Sequence, residues 1–271
     1  MDIRCTVVFT ALALSIPAGS DAHAGATPWA EDTGGRMRLI VTAPDADGRI
    51  RGALQVEPAD GFITYWREPG ESGIPPQISV SADSDVSLES IAYPVPKRIE
   101  LTGVTDMGYD GPVTFPLMLK ASPGTMPQLD VSAFIGLCKD ICIPFQASFH
   151  VGKETYKASA VDNAILAVAA TTLPEAPSDD FRIASAVIAG EALTLALTLP
   201  DQTAPEITLA SSDGFIVKAP EGSFQDGRYV ITISASSLPD GAASLESEWL
   251  ILVKTGDRAL ETPLVFERDA P

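Results

Sequence analysis

Two cysteines separated by three residues are the part of the sequence best suited to chemistry. Cys138 and Cys142 lie in the segment GLCKDICIPF, residues 136–145, with apolar residues on both sides. If the chain turns between them, their Cα atoms fall within the roughly 4.4–6.8 Å that a disulfide requires. Pro144 favours a strand and a turn at this point, because proline does not continue a helix.

The pair could serve as a structural disulfide, a redox centre or a metal site. A bridge that closes so short a loop removes little chain entropy and therefore adds little stability. Lys139 would favour a thiolate and Asp140 would disfavour it, so the local charge does not decide reactivity. A Cu(I) site could combine the two cysteines with His150 or Met107 as soft ligands. The spacing alone leaves all three uses open.

The first residues have the pattern of a secretory signal peptide. One arginine precedes a short apolar run from Cys5 to Pro17, and Ala22-His23-Ala24 fits the A-x-A cleavage pattern. The run is too short and too interrupted to span a bilayer. We therefore expect residues 1–24 to be removed and the cysteine pair to work in a compartment that permits disulfides.

The composition narrows the choice of partner. The chain has 36 acidic and 18 basic residues, a formal net charge of −18. Such a chain repels nucleic acid and anionic membrane surfaces, so we expect neither a nucleic-acid partner nor membrane insertion. With two histidines in the whole chain and no Gly-x-Ser-x-Gly motif, the sequence does not favour a hydrolase.

The elements that must position the pair are mostly strands. Short segments with alternating apolar residues are separated by clusters of Gly, Pro, Asp and Ser, which is typical of an antiparallel sandwich. In the first half, the predicted strands are 37–43, 51–56, 62–66, 86–93, 113–121, 129–138 and 142–151.

The pattern changes to a helical one after Ser159. Ser159 with Asp162 three residues later resembles a capping box, and apolar residues follow at helical spacing until Pro174 ends the segment. Strands then resume, with a hairpin turn predicted at residues 255–257. We predict an all-β fold of two immunoglobulin-like sandwiches, joined by a short helix and a linker. The predicted boundaries are 1–24 for the signal peptide, 25–156 for the first sandwich, 157–180 for the helix and linker, and 181–271 for the second sandwich.

Four motifs, in order, resemble one known family. They are GFITYWREPGESGIPP (61–76), YPVPKRIE (93–100), TDMGYDGPVTFPL (105–117) and GLCKDICIPF (136–145). This order is similar to that of the N-terminal periplasmic domain of the thiol:disulfide interchange protein DsbD, and more so to that of its relative ScsB, whose cysteine spacing it matches better. The N-terminal region of ScsB also has two immunoglobulin-like units.

The resemblance implies a redox role in the periplasm, that of a thiol–disulfide interchange protein or protein-disulfide reductase with no bound cofactor. Electrons would come from a thioredoxin-like or membrane donor and pass to periplasmic disulfide-containing proteins. Cys142 would form the mixed disulfide and Cys138 would resolve it. A loop around residues 105–110 would cap the pair, with Met107 and Tyr109 as candidate cap residues. Phe62 and Tyr65 match the aromatic positions beside the pair.

The sequence also departs from the family. Members that move electrons across a membrane carry a membrane domain and a C-terminal thioredoxin-like domain, and neither is expected in the sequence up to Pro271. We therefore expect a free-standing form of the N-terminal part. A partner-binding module with a structural disulfide and a Cu(I)-handling protein stay as the alternative functions.

Overall fold

The computed structural model describes residues 24–70, 73–101, 104–157, 159–234 and 248–268. All but the last residue of the expected signal peptide lie outside these residues. The chain is mostly β-strand, with one helix among the described residues, and forms the two predicted sandwiches. The first half contains β1 (Ala24–Ala26), β2 (Ala30–Asp32), β3 (Gly35–Thr42), β4 (Arg49–Pro58), β5 (Thr64–Tyr65), β6 (Gln77–Val80), β7 (Val86–Ile91), β8 (Lys97–Leu101), β9 (Val104–Tyr109), β10 (Val113–Ala121), β11 (Leu129–Cys138) and β12 (Cys142–Val151).

The first sandwich is built from a six-stranded and a three-stranded antiparallel sheet. The larger sheet has the order β1–β3–β4–β10–β7, with β2 also paired to β3, and the smaller sheet has the order β12–β11–β6. Alternate residues of β10, such as Val113, Phe115 and Leu119, are buried, because successive side chains of a strand point to opposite faces. They pack with Ile135 of β11 in one apolar core.

A small third sheet covers one end of this sandwich. Its order is β5–β9–β8, and an isolated bridge between Ile63 and Cys138 ties it to the end of β11. The sequence pattern predicts a strand over 62–66, whereas the paired strand β5 covers Thr64–Tyr65 alone. The pattern does not predict β8 and β9, because their charged and small residues lack a clear apolar alternation.

The helix α1 (Ala160–Thr171) begins where the sequence predicts. The Ser159 side chain accepts a hydrogen bond of 3.2 Å from the Asp162 backbone N–H, which caps the helix. The Asp162 carboxylate also lies 3.5 Å from the guanidinium of Arg38 on β3. This ion pair fixes the first turn of the helix against the first sandwich.

The second sandwich contains two further sheets. Their orders are β17–β18–β14–β13–β21 and β16–β15–β19–β20, and the pairs are antiparallel except β13 with β21. A separate apolar core lies between them, with Leu195, Leu209, Ile231 and Trp249 among its members. The strands are β13 (Arg182–Ala189), β14 (Ala192–Thr198), β15 (Glu206–Ser211), β16 (Ile216–Lys218), β17 (Ser223–Gln225), β18 (Arg228–Ser234), β19 (Trp249–Thr255), β20 (Arg258–Pro263) and β21 (Glu267–Arg268).

The two sandwiches are packed against each other. Ala210 and Leu252 of the second sandwich belong to the core cluster of the first. Arg98 donates a hydrogen bond of 3.2 Å to the Thr208 hydroxyl, and Arg67 forms an ion pair with Glu261. The second sandwich therefore contacts and supports both β8, through Arg98, and the segment just after β5, through Arg67. No helix among the described residues is long and apolar enough to cross a bilayer.

Candidate functional site

The cysteine pair closes the hairpin formed by β11 and β12. Cys138 and Cys142 face each other in the register and form a disulfide with an S–S distance of 2.01 Å. Their Cα atoms are 4.1 Å apart, slightly below the expected range. The reason is the register, because both backbone groups of Cys138 bond to Ile63 at 2.8 and 3.0 Å. Cys138 and Cys142 are thus a non-hydrogen-bonded pair, the close type in an antiparallel ladder, at about 4.5 Å.

The two sulfur-bearing residues have different surroundings. Cys138 is 2% exposed and belongs to a small apolar cluster with Ile63 and Tyr65, against which Ile99 also packs. Cys142 is exposed at the first position of β12, beside Ile141, which is 73% exposed at the tip of the hairpin. The disulfide is therefore accessible from the side of Cys142.

Tyr65 contacts the exposed cysteine directly. Its side chain is 1% exposed, yet its hydroxyl oxygen lies 3.5 Å from the Cys142 Sγ. A disulfide sulfur carries no hydrogen, so the hydroxyl is the donor in this contact. Burial, with a smaller contribution from the carboxylate of Asp106, raises the pKa of Tyr65 to about 12. The hydroxyl therefore keeps its proton at neutral pH.

Two glycines make room for the Tyr65 ring. A Cβ atom at Gly136 would lie 2.7 Å from the Ile74 Cβ and 3.3 Å from the ring. A Cβ atom at Gly73 would lie 2.8 Å from the other edge of the same ring. The ring therefore fits between two stretches of backbone that approach it closely, and its hydroxyl has a fixed direction.

Phe62 and Lys139 lie on the other side of the hairpin tip. The Lys139 ammonium donates a hydrogen bond of 3.3 Å to the Asp60 carbonyl oxygen and lies 5.9 Å from the centre of the half-buried Phe62 ring. The lysine thus holds the loop before β5. The sequence does not decide whether Lys139 favours a thiolate. In the structure, the Lys139 ammonium contacts this loop.

The structure places Met107 and Tyr109 in the main core. Met107 is fully buried there, and the Tyr109 hydroxyl donates a hydrogen bond of 2.8 Å to the Pro94 carbonyl oxygen. Their segment is strand β9, not an irregular loop. It is Asp106, 2% exposed, that acts electrostatically on Tyr65.

Sequence reasoning missed several residues of the site, namely Ile63, Gly73, Ile74, Ile99, Asp106 and Gly136. The role of Asp106 could have been predicted in part from the geometry of a strand. If residues 105–110 form a strand, Met107 and Tyr109 share one face and Asp106 lies on the other.

The residues considered for Cu(I) are not gathered around the pair. His150 lies near the far end of β12, with its Nδ1 2.9 Å from the Asp130 carboxylate. Met107 is in the main core. Within the part of the chain that the structure describes, no group of three His, Cys, Asp or Glu side chains could hold a metal ion.

Residues 37–152 match the family model for "Thiol:disulfide interchange protein DsbD, N-terminal". By its fold and its disulfide, this region is a β-sandwich domain with a cysteine pair at a hairpin tip. That region of the chain is similar to the DsbD N-terminal family, in line with the resemblance of its four motifs. The match to this family model and the Cys138–Cys142 disulfide both fit thiol–disulfide exchange.

The wider fold is shared with a solved structure. The N-terminal periplasmic domain of ScsB from Proteus mirabilis aligns with a TM-score of 0.70 and 21% identity, over 89% of this chain and 98% of that chain. The likeness thus extends over both sandwiches. The GAE domain of GGA2p from Saccharomyces cerevisiae aligns with a TM-score of 0.29 and 9% identity, over 46% of this chain and 97% of that chain, which is too weak to inform the fold. None of the curated proteins compared with the sequence matches it significantly.

Proposed function

We propose that the protein is a periplasmic thiol–disulfide exchange protein that carries electrons on the Cys138–Cys142 pair. The observation that supports this best is the asymmetry of the disulfide, with Cys138 buried in an apolar cluster and Cys142 exposed. A bridge across a three-residue turn stabilises a fold little, because it closes a very short loop. An exposed sulfur beside a protected one suits exchange, since one atom must be reachable and the other must wait.

The reaction that we propose has two displacements. The Cys142 thiolate attacks one sulfur of an oxidised partner, so that a mixed disulfide forms and the partner's other sulfur leaves as a thiolate. The Cys138 thiolate then attacks the Cys142 Sγ, and the second partner sulfur leaves. Two electrons pass from the dithiol to the partner's disulfide, and the two released thiolates take their protons from water.

The protein would be recharged by the reverse sequence. A donor thiolate attacks the exposed Cys142 Sγ, so that a mixed disulfide forms and Cys138 leaves as the thiolate. The donor's second thiolate then attacks the donor sulfur of that mixed disulfide, and Cys142 leaves as the thiolate. The donor would be a thioredoxin-like protein or a membrane electron carrier, and the recipients would be periplasmic disulfide-containing proteins. The likeness to a periplasmic domain of ScsB supports this location, and residues 1–24 would serve as the signal peptide for export.

The site residues divide into two proposed roles. Phe62 would meet a partner beside Cys142, since it lies at the hairpin tip, and the buried Tyr65 would support the Cys142 sulfur that its hydroxyl contacts. Strand β9 would be the cap of the pair, and Met107 and Tyr109 would hold it in place by packing in the core. We propose the limits 25–156 for the redox unit, 157–180 for the helix and linker, and 181–271 for the second sandwich, which would act as a spacer or docking platform.

The reduction potential of the pair tests this function. The full-length protein is equilibrated with glutathione and dithiothreitol buffers, and its thiol content is measured. A potential above about −300 mV, in the range of exchange proteins, supports the proposal, while a lower value would mark a structural bridge.

Trapping provides the second arm of the test. With Cys138→Ser, an oxidised disulfide-containing partner should remain attached to Cys142, because the resolving thiol that would release it is missing. Cys142→Ser is the matched control and should trap nothing. Equal trapping by both variants, or by neither, would count against the exchange function.

A further inference from the structure

We propose that Tyr65 is a catalytic residue of the exchange reaction, whose hydroxyl donates a hydrogen bond to the Cys142 thiolate and so selects Cys142 as the attacking sulfur. This inference rests on the proposed function and adds a chemical role for a residue of the site. Its starting point is the 3.5 Å contact between the Tyr65 hydroxyl oxygen and the Cys142 Sγ.

The position of the hydroxyl is set by the fold. Strand β5 carries Tyr65 and pairs with β9, where Tyr65 lies opposite Gly108. The ring is 1% exposed and lies between the backbones at Gly73 and Gly136. These contacts do not involve the S–S bond. The hydroxyl therefore stays in reach of Cys142 after the disulfide is reduced.

A hydrogen bond of this kind favours the charged form of its acceptor. A hydroxyl that keeps its proton stabilises a thiolate relative to a thiol, because a thiolate is the stronger acceptor. Cys138, by contrast, lies in an apolar cluster with Ile63 and Ile99, where a charge is disfavoured. The same side chain that covers the buried cysteine thus activates the exposed one.

Other charged groups surround the site. Lys139 and Asp140 lie in the turn next to Cys142, and Asp106 of β9 acts on Tyr65. The Lys139 ammonium is engaged by the Asp60 carbonyl and the Phe62 ring. All of these groups remain when the Tyr65 hydroxyl alone is removed, so a Tyr65→Phe comparison isolates the hydrogen bond.

The test uses the full-length chain with Cys142 as the reporting thiol. Three proteins are compared: Cys138→Ser, Cys138→Ser with Tyr65→Phe, and Cys138→Ser with Tyr156→Phe. Tyr156 is a matched control, because it is also a buried tyrosine, and its hydroxyl donates to the Pro127 carbonyl oxygen at 3.0 Å. The thiolate is followed by its ultraviolet absorbance against pH, and its reactivity by the rate of attack on oxidised glutathione.

Loss of the hydroxyl should raise the midpoint of the thiolate titration by about one pH unit, a tenfold smaller thiolate fraction at neutral pH. A more basic thiolate is also a better nucleophile, with a Brønsted coefficient of about 0.4–0.5. The rate at neutral pH should therefore fall about threefold, while the rate above both midpoints should rise about threefold. A purely structural role for Tyr65 would not produce this reversal.

The possible failures can be told apart. If Cys138→Ser itself forms no mixed disulfide with glutathione, the exchange function is wrong. If it does so and Tyr65→Phe leaves the titration midpoint unchanged, only the role of Tyr65 is overturned. Should Tyr65→Phe not fold, a fluorinated tyrosine at this position keeps the test. Its more acidic hydroxyl is a stronger donor and should lower the midpoint, and an unchanged midpoint would overturn the role.

Discussion

Two hairpin tips of this molecule have a similar backbone arrangement but differ in the contacts of their side chains. The β11–β12 hairpin ends in the pair Cys138 and Cys142, and the β19–β20 hairpin ends in the pair Thr255 and Arg258. Both tips join long antiparallel strands of a sandwich. They differ in where the functional groups of the tip find their partners.

The β19–β20 tip is satisfied within the chain. Arg258 donates hydrogen bonds of 2.7 to 3.2 Å to the Glu175 carboxylate and one of 2.8 Å to Asp180. The Glu175 backbone N–H also bonds to the Ala259 carbonyl oxygen at 2.7 Å. The linker after the helix is therefore tied to the second sandwich at this point.

The β11–β12 tip leaves one of its two cysteines accessible to solvent. Cys138 is enclosed, whereas Cys142 and Ile141 are exposed. A tip that serves cohesion finds its partners inside the chain, and a tip that serves exchange keeps one reactive group accessible. The following experiments test whether this contrast is real.

The largest expected effect is on the accessibility of the two thiols. In the native state, the Cys142 thiol of Cys138→Ser should be alkylated by iodoacetamide at least about tenfold faster than the Cys138 thiol of Cys142→Ser. The reason is that Cys138 must wait for local opening of the cluster that covers it. Mass spectrometry of quenched samples gives both rates. In denaturant the two rates should converge, and equal rates in the native proteins would remove the asymmetry on which the contrast rests.

A second effect separates the tips by their packing. Gly136→Ala places a Cβ 2.7 Å from the Ile74 Cβ and against the Tyr65 ring, so we expect a loss of about 3 kcal/mol in the free energy of unfolding. Exchange should also slow, because the ring that contacts Cys142 must shift. Urea unfolding and the rate with oxidised glutathione measure the two effects.

The control for this variant is Gly256→Ala in the other tip. A Cβ there meets nothing within 4 Å, but the φ of +54° is unfavourable for alanine and should cost about 1 kcal/mol. Exchange should keep its normal rate. If Gly256→Ala slowed exchange as much as Gly136→Ala, the effect would reflect general destabilisation instead of the site.

The sequence predicts the parts of the fold that follow from local alternation. Strand β10 and the helix that Ser159 caps are examples, because each pattern is complete within its own segment. Strands β8 and β9 escape prediction, because they are stabilised by pairing with each other and with β5 instead of by an apolar face of their own.

The same limit applies to the site. The spacing of the cysteines predicts that they can meet, but it does not predict which of them is buried. That depends on Ile63, some 75 residues earlier in the chain, which pairs with Cys138 in an isolated bridge just before β5. Likewise, alternation puts Met107 and Tyr109 on one face of β9, yet only the tertiary packing decides that this face turns to the core.

The smallest expected effect concerns the cohesive tip and its dependence on pH. Arg258→Gln should lower the melting temperature by about 2 °C or less at neutral pH, because its ion pairs are largely exposed. Arg228→Gln is the matched control. Arg228 occupies the same place at the end of the β17–β18 hairpin, and no ion pair with it is found among the described residues. Arg228→Gln should leave the melting temperature nearly unchanged, and both variants should carry out thiol–disulfide exchange at the normal rate.

The pH dependence of the Arg258→Gln effect has a definite sign. Hydrogen bonds from Arg258 lower the pKa of Glu175, and those from Arg258 and Ser178 lower the pKa of Asp180 to about 2. A carboxyl whose pKa is lower in the folded state stabilises the fold above its unfolded value, about 4. That stabilisation is lost as the pH falls through the folded value. The difference in melting temperature between wild type and Arg258→Gln should therefore persist at neutral pH and disappear between about pH 4 and pH 2. A difference that stayed unchanged on acidification would show that Arg258 acts through packing, and the charges of this tip would then contribute no stability.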